Sequence, residues 1–125
     1  SLNALDGDAV SLETLSTSSP LIVVLWRSDC HACRQALARV NAVADQVRVI
    51  TVNEGQSLLQ AARFLDAQDM GFAHNLQDPE QRLQAYFGMP DLPLTVYLDA
   101  HGRLRNIRSG PLATATLEAW LAASP

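Results

Sequence analysis

The feature that most constrains this chain is an apolar run of strand length that ends in two closely spaced cysteines and leads straight into a helix. Leu21-Ile22-Val23-Val24-Leu25 is short, apolar and rich in β-branched residues, the marks of a buried strand. Trp26-Arg27-Ser28-Asp29-Cys30-His31-Ala32-Cys33 follows, and from Cys33 onward Ala36, Leu37, Val40, Val43 and Ala44 recur at helical spacing. That order places Cys30 at or just before the helix N-terminus and Cys33 one turn inside. Unpaired N–H groups and the positive end of the helix dipole favour an anion there. The Cys30 thiolate is the species that gains, and a thiolate is the attacking group in disulfide exchange. Cys33 lies within reach of a mixed disulfide formed at Cys30, so one cysteine captures and the other resolves.

Three other uses of a cysteine pair compete with this one. A zinc site would need two further ligands, but there is no third cysteine and His74 and His101 stand alone in the sequence, so no metal is expected. A structural disulfide is most useful across a long loop, and this loop is nearly the shortest available. Two unrelated buried thiols remain an alternative. The strand, Cys-x-x-Cys, helix order favours redox chemistry over all three.

Trp26 through Cys33 resembles the W-x-x-x-C-x-x-C site of the thioredoxin superfamily. From about Leu5 to Trp120 the order of elements is more specifically similar to the TlpA/ResA-like branch, whose members are exported thiol–disulfide oxidoreductases. The resemblance implies an α/β thioredoxin fold, with a mixed central sheet flanked by helices. An N-terminal β-hairpin and an inserted αβ element at about residues 70–88 would belong to one domain spanning 1–125. It implies no cofactor beyond a redox-active Cys30–Cys33 disulfide. The implied partners are protein thiols and disulfides and an upstream electron-donor protein. The chain would be a monomer in the periplasm or bacterial cell envelope, with any signal or membrane anchor outside it.

Bulk properties fit and exclude little. A chain of 125 residues suits one domain with a modest core. Net charge is −4, and all nine basic residues are arginines without a clustered excess, so no nucleic-acid partner is expected. The longest apolar run is too short to span a membrane. No signal segment is visible, and export rests on the resemblance alone.

Along the chain, Leu5 to Leu12 reads as a hairpin turning at Asp6-Gly7-Asp8. Val47 to Asn53 alternates and is β-branched, a strand. Ser57 to Asp69 reads as a helix with Leu58, Ala61, Ala62 and Leu65 on its apolar face. Phe72 to Asp78 resembles the branch's F-P-x-x-x-D element, with Ala73 in place of the proline. A short helix is expected from Pro79 to Phe87, capped by Asp78. A further strand at Leu94 to Leu98, a turn at Asp99 to Gly102 and a last helix buried through Leu117, Trp120 and Leu121 complete the chain. Arg103, Arg105 and Arg108 read as a solvated edge.

In thioredoxin-like folds the strand facing the cysteines begins with a cis-proline, and Leu92-Pro93 holds that place. The resemblance implies a cis bond, with the Leu92 backbone offered to a peptide substrate beside the disulfide. Leu94 stands where the family usually has threonine. His31 is either a solvated helix-start residue or a group that stabilises the Cys30 thiolate. Trp26 is expected to pack beside the site, with an aromatic wall for substrate as the alternative. Asp29 would oppose thiolate formation. Val24 occupies the place of thioredoxin's buried acid. Some relatives carry a glutamate near the disulfide in a V-N-x-G-E-S stretch, where this chain has Gln56. Glu54 is expected as a solvated loop carboxylate, with an inward-turned substitute for that acid as the alternative.

The favoured function is thiol–disulfide exchange on protein substrates by a reductase of the bacterial envelope. An oxidase or isomerase would run the same residues the other way. A Cu(I)-binding chaperone would use Cys30, Cys33 and a histidine, because soft thiolates suit Cu(I).

Overall fold

The computed structural model describes residues 2–4, 9–10, 19–72 and 74–123. Its strands are β1 (Leu2–Ala4), β2 (Ala9–Val10), β3 (Leu21–Trp26), β4 (Arg48–Glu54), β5 (His74–Asp78), β6 (Leu94–Leu98) and β7 (Leu104–Ser109). Its helices are α1 (His31–Asn41), α2 (Leu58–Ala67), α3 (Arg82–Phe87) and α4 (Thr114–Ala123). The strands form one sheet in the order β2-β1-β5-β4-β3-β6-β7. β3, β4 and β5 run parallel, whereas β6 opposes β3 and β1 opposes β5. The sheet is therefore mixed, as the resemblance implies.

Every residue of β3 is buried, because it lies at the centre of the sheet with both faces covered. Alternation divides those residues between two cores. Ile22, Val24 and Trp26 pack with Cys33, Ala36, Leu37 and Val40 of α1, Ala61 and Leu65 of α2, and Leu117 and Trp120 of α4. Leu21, Val23 and Leu25 join Ile50, Val52, Leu76, Leu94 and Val96 on the opposite face, where Leu83 and Phe87 of α3 pack. Parallel register brings the C-terminal ends of the central strands together, with Trp26 opposite Asn53 and Glu54 opposite Asp78. Sites in α/β sheets form at such an edge.

Three elements depart from the sequence expectation. The N-terminal hairpin exists, but its strands pair Leu2 with Val10 and Asn3 with Ala9, so the first strand precedes Leu5. The Asp6-Gly7-Asp8 turn and Leu12 lie outside the described residues. On α2 the packed stripe begins one turn late, at Ala61. Leu58 is exposed and Phe64 packs against the core instead. Helix α3 begins at Arg82 rather than Pro79, because Asp78 still belongs to β5 and Gln81 adopts a left-handed φ of 57° that breaks any earlier helix. Asp78 nevertheless serves the helix from the strand. Its carboxylate accepts from the N–H groups of Arg82 (3.1 Å) and Leu83 (2.8 Å).

β7 is one of the two outer strands, and Arg103, Arg105 and Arg108 are exposed along that edge as expected. Among the described residues no helix is long and apolar enough to cross a membrane.

Candidate active site

Strand β3 ends at Trp26, and residues 27–29 turn the chain into α1 with Cys30 as its N-cap. Cys30 is extended (φ −119°, ψ 110°), and its Sγ accepts the Cys33 N–H at 3.0 Å. The sulfur thus takes the place that a serine or aspartate oxygen usually holds at a helix start. No acidic residue sits in the first turn of α1 to compete with a Cys30 thiolate for the positive end of the helix dipole. Cys30 and Cys33 are disulfide-bonded with their Cα atoms 5.2 Å apart. Cys33 is fully buried and Cys30 is half-buried, so a partner can reach only the Cys30 sulfur.

Facing them, the Leu92–Pro93 bond is cis. The Leu92 carbonyl oxygen lies 3.6 Å from Cys30 Sγ. Two bonds from the end of β7 fix this loop: Gly110 N–H donates to the Pro93 carbonyl (2.9 Å), and Ser109 Oγ donates to the Asp91 carbonyl (2.9 Å). Gly110 has a φ of 91°, a conformation glycine adopts without strain.

The remaining expected residues separate. Trp26 is fully buried beneath the site with its ring 5.1 Å from that of Phe64, so it supports from below and forms no substrate wall. His31 is exposed at the first helical position, between the two cysteines. Asp29 is exposed but paired: Arg27 donates to it through Nε (3.0 Å) and Nη2 (3.2 Å), and this bonding holds its carboxyl below the usual carboxylate range. The third guanidinium nitrogen, Nη1, donates to the Glu54 carbonyl at 2.9 Å. The negative charge expected beside Cys30 is thus met by a cation that sequence reasoning did not assign.

Glu54 is not a solvated loop carboxylate. β4 runs one residue further than expected, and alternation turns the side chain inward onto the Val52 face, opposite the face where Cys33 packs. It is fully buried beside Asp78, and its Oε1 accepts the Gln84 N–H at 3.2 Å. Burial, then the neighbouring Asp78, pushes its carboxyl up to about 9. Asn53, on the other face, instead turns toward the site and bonds Gln56, which in turn bonds Ser28. Gln56, noted in the sequence only for standing where relatives have an acid, is the residue that touches the turn before Cys30.

Among the described residues no three His, Cys, Asp or Glu side chains are grouped as a metal site requires. His74 is half-buried on β5 and His101 is exposed in the turn before β7.

No family model matches the chain. A thiol:disulfide interchange protein DsbE of Allochromatium vinosum is 31% identical over 93 residues, covering 73% of this chain and 51% of the relative. The chain thus spans about half the length of that protein. The thiol–disulfide oxidoreductase ResA of Halalkalibacterium halodurans is 22% identical over 125 residues, covering 96% of this chain and 70% of the relative. Among solved structures, a secreted Mycobacterium tuberculosis disulfide oxidoreductase homologous to E. coli DsbE superposes with a TM-score of 0.83 at 18% identity. The match covers 98% of this chain and 93% of that one, a likeness of fold. The chain belongs to the thioredoxin superfamily, in the branch that holds the ResA and DsbE proteins.

Proposed function

We propose that this chain is a thiol–disulfide oxidoreductase acting on proteins, and that it works as a reductase of the bacterial cell envelope. The observation that carries the exchange chemistry is the N-cap sulfur: Cys30 Sγ receives the Cys33 N–H while remaining the accessible member of the pair. In the reduced protein the Cys30 thiolate attacks one sulfur of a client disulfide. A Cys30–client mixed disulfide forms, and the other client sulfur leaves as a thiolate that takes up a proton. Cys33 then loses its proton and attacks Cys30 Sγ. The Cys30–Cys33 disulfide closes and the second client thiolate departs, so two electrons have passed to the client. An upstream donor protein returns them.

The Leu92 carbonyl beside Cys30 Sγ offers an extended client segment a backbone acceptor, and cis Pro93, lacking an N–H, leaves that edge open. The reading takes the chain as a monomer that needs no cofactor beyond its own disulfide. The secreted Mycobacterium tuberculosis disulfide oxidoreductase that shares this fold supports a location outside the cytoplasm.

Direction is tested by the reduction potential of the Cys30–Cys33 pair, equilibrated in dithiothreitol or glutathione buffers. A value near the thioredoxin end, about −270 mV, is expected. A value near −120 mV, roughly that of a strong disulfide donor, would overturn the reductase direction in favour of an oxidase. The copper reading would return only if the reduced protein held Cu(I) stoichiometrically against a strong chelator.

A further inference from the structure

The turn that presents Cys30 is held from β4 rather than from its own helix. Gln56 is almost fully buried, and its carboxamide is used at both ends. Its Oε1 accepts the Ser28 N–H at 2.8 Å and an Asn53 Nδ2–H at 2.9 Å. Its Nε2 donates to Ser28 Oγ at 2.9 Å, and its backbone N–H donates to Asn53 Oδ1 at 3.2 Å. Asn53 is buried opposite Trp26 in the sheet, so the network stands on a rigid strand rather than on a loop. Gly55, at a φ of 81°, makes the tight turn that swings Gln56 back toward Ser28.

We infer that Gln56 is a positioning residue for Cys30, tuning its thiolate by locking the 27–29 turn through Ser28. With the Ser28 N–H fixed at one end and the Cys30 sulfur engaged by the Cys33 N–H at the other, only Asp29 lies between the two anchors. A sulfur kept in line with the helix-end N–H retains the stabilisation of its anion. A sulfur free to swing away loses it, because such effects need placement to within about half an ångström. The carboxamide has a second property: it satisfies both a donor and an acceptor on Ser28 while adding no charge beside the thiolate.

The assignment rests on the exchange reading, and it is tested on the full chain with Gln56→Ala and Gln56→Glu. Three quantities are compared with the wild type: the Cys30 thiol pKa from the pH dependence of alkylation, the equilibrium constant with glutathione, and the thermal unfolding midpoint. Gln56→Ala is expected to raise the thiol pKa and to slow alkylation at neutral pH about tenfold, the worth of one or two lost buried hydrogen bonds. Gln56→Glu keeps the shape and the acceptors but adds a charge. Once this carboxyl is ionised it is expected to move the glutathione equilibrium toward the disulfide by a similar factor, with a lower unfolding midpoint because the position is buried. Ser28→Ala, which removes only the hydroxyl, is expected to shift both readouts in the same direction by less, and it carries the test if Gln56→Ala does not fold. A lower midpoint with thiol pKa and glutathione equilibrium unchanged in all variants would reduce Gln56 to a packing residue and overturn the assignment. A wild-type protein that fails to exchange disulfides would instead sink the exchange reading, and the assignment with it.

Discussion

Cys30→Ala is expected to bring disulfide reduction down to background, a loss of more than about a thousandfold, because it removes the attacking sulfur. Cys33→Ala is expected to fail differently. Its Cys30 thiolate still attacks, but no second thiol resolves the product, so one equivalent of client is captured per chain and turnover stops. The difference follows from burial. Cys33 is wholly covered in the core beneath α1, while Cys30 is only half-buried at the helix cap. Non-reducing mass spectrometry after mixing each variant with a disulfide-bonded client reads the result. Capture by Cys33→Ala alone is expected; capture by Cys30→Ala would reverse the two roles.

The second large effect concerns stability rather than exchange. Glu54 is buried against Asp78, and its carboxyl is raised from the ordinary 4.5 to about 9. Near pH 4 both folded and unfolded chains hold the proton, and no penalty exists. As pH rises past the ordinary value, the unfolded chain loses the proton that the folded chain keeps. Stability must then fall by about 1.4 kcal/mol per pH unit until the folded value is reached. The folded Glu54 carboxyl therefore keeps its proton at neutral pH, and the loss amounts to roughly several kcal/mol across the window. Glu54→Gln keeps the acceptor for the Gln84 N–H and gains an N–H donor on the side facing Asp78, without a titrating group. Denaturant unfolding of the oxidised proteins, in which the cysteines do not titrate, is expected to show a falling wild-type curve from about pH 5 to 9. The variant's curve should be much flatter, making it the more stable protein at pH 8. Parallel curves would show that the buried carboxyl is not the source.

How legible these features were in the sequence depends on the range of the interactions that make them. The strand, the cysteine spacing and α1 are local, and periodicity alone places Cys30 at a helix end. The cis bond at Pro93 came from the resemblance, since most prolyl bonds are trans and nothing local marks this one. Glu54 was misplaced because the strand was ended one residue early, at Asn53; once β4 includes Glu54, the period of two puts its side chain on the buried Val52 face. Asp78 was read as a helix cap, and it does bond two α3 N–H groups, but from the sheet, where its pairing with Glu54 fixes it. The Gln56–Ser28 bonds join residues 28 apart in sequence, and only the parallel register of β3 and β4 brings them together. Arg27 was passed over because strand and helix spacing rules do not register a pairing two residues apart across a turn.

The most direct test of the account is to reduce the wild-type protein and alkylate it with limiting iodoacetamide across a pH series, locating the label by peptide mass. The label is expected on Cys30, with an apparent thiol pKa below the free-cysteine value of about 8.5. Label on Cys33, or a Cys30 that titrates at or above that value, would contradict the claim that the helix cap makes Cys30 the attacking group.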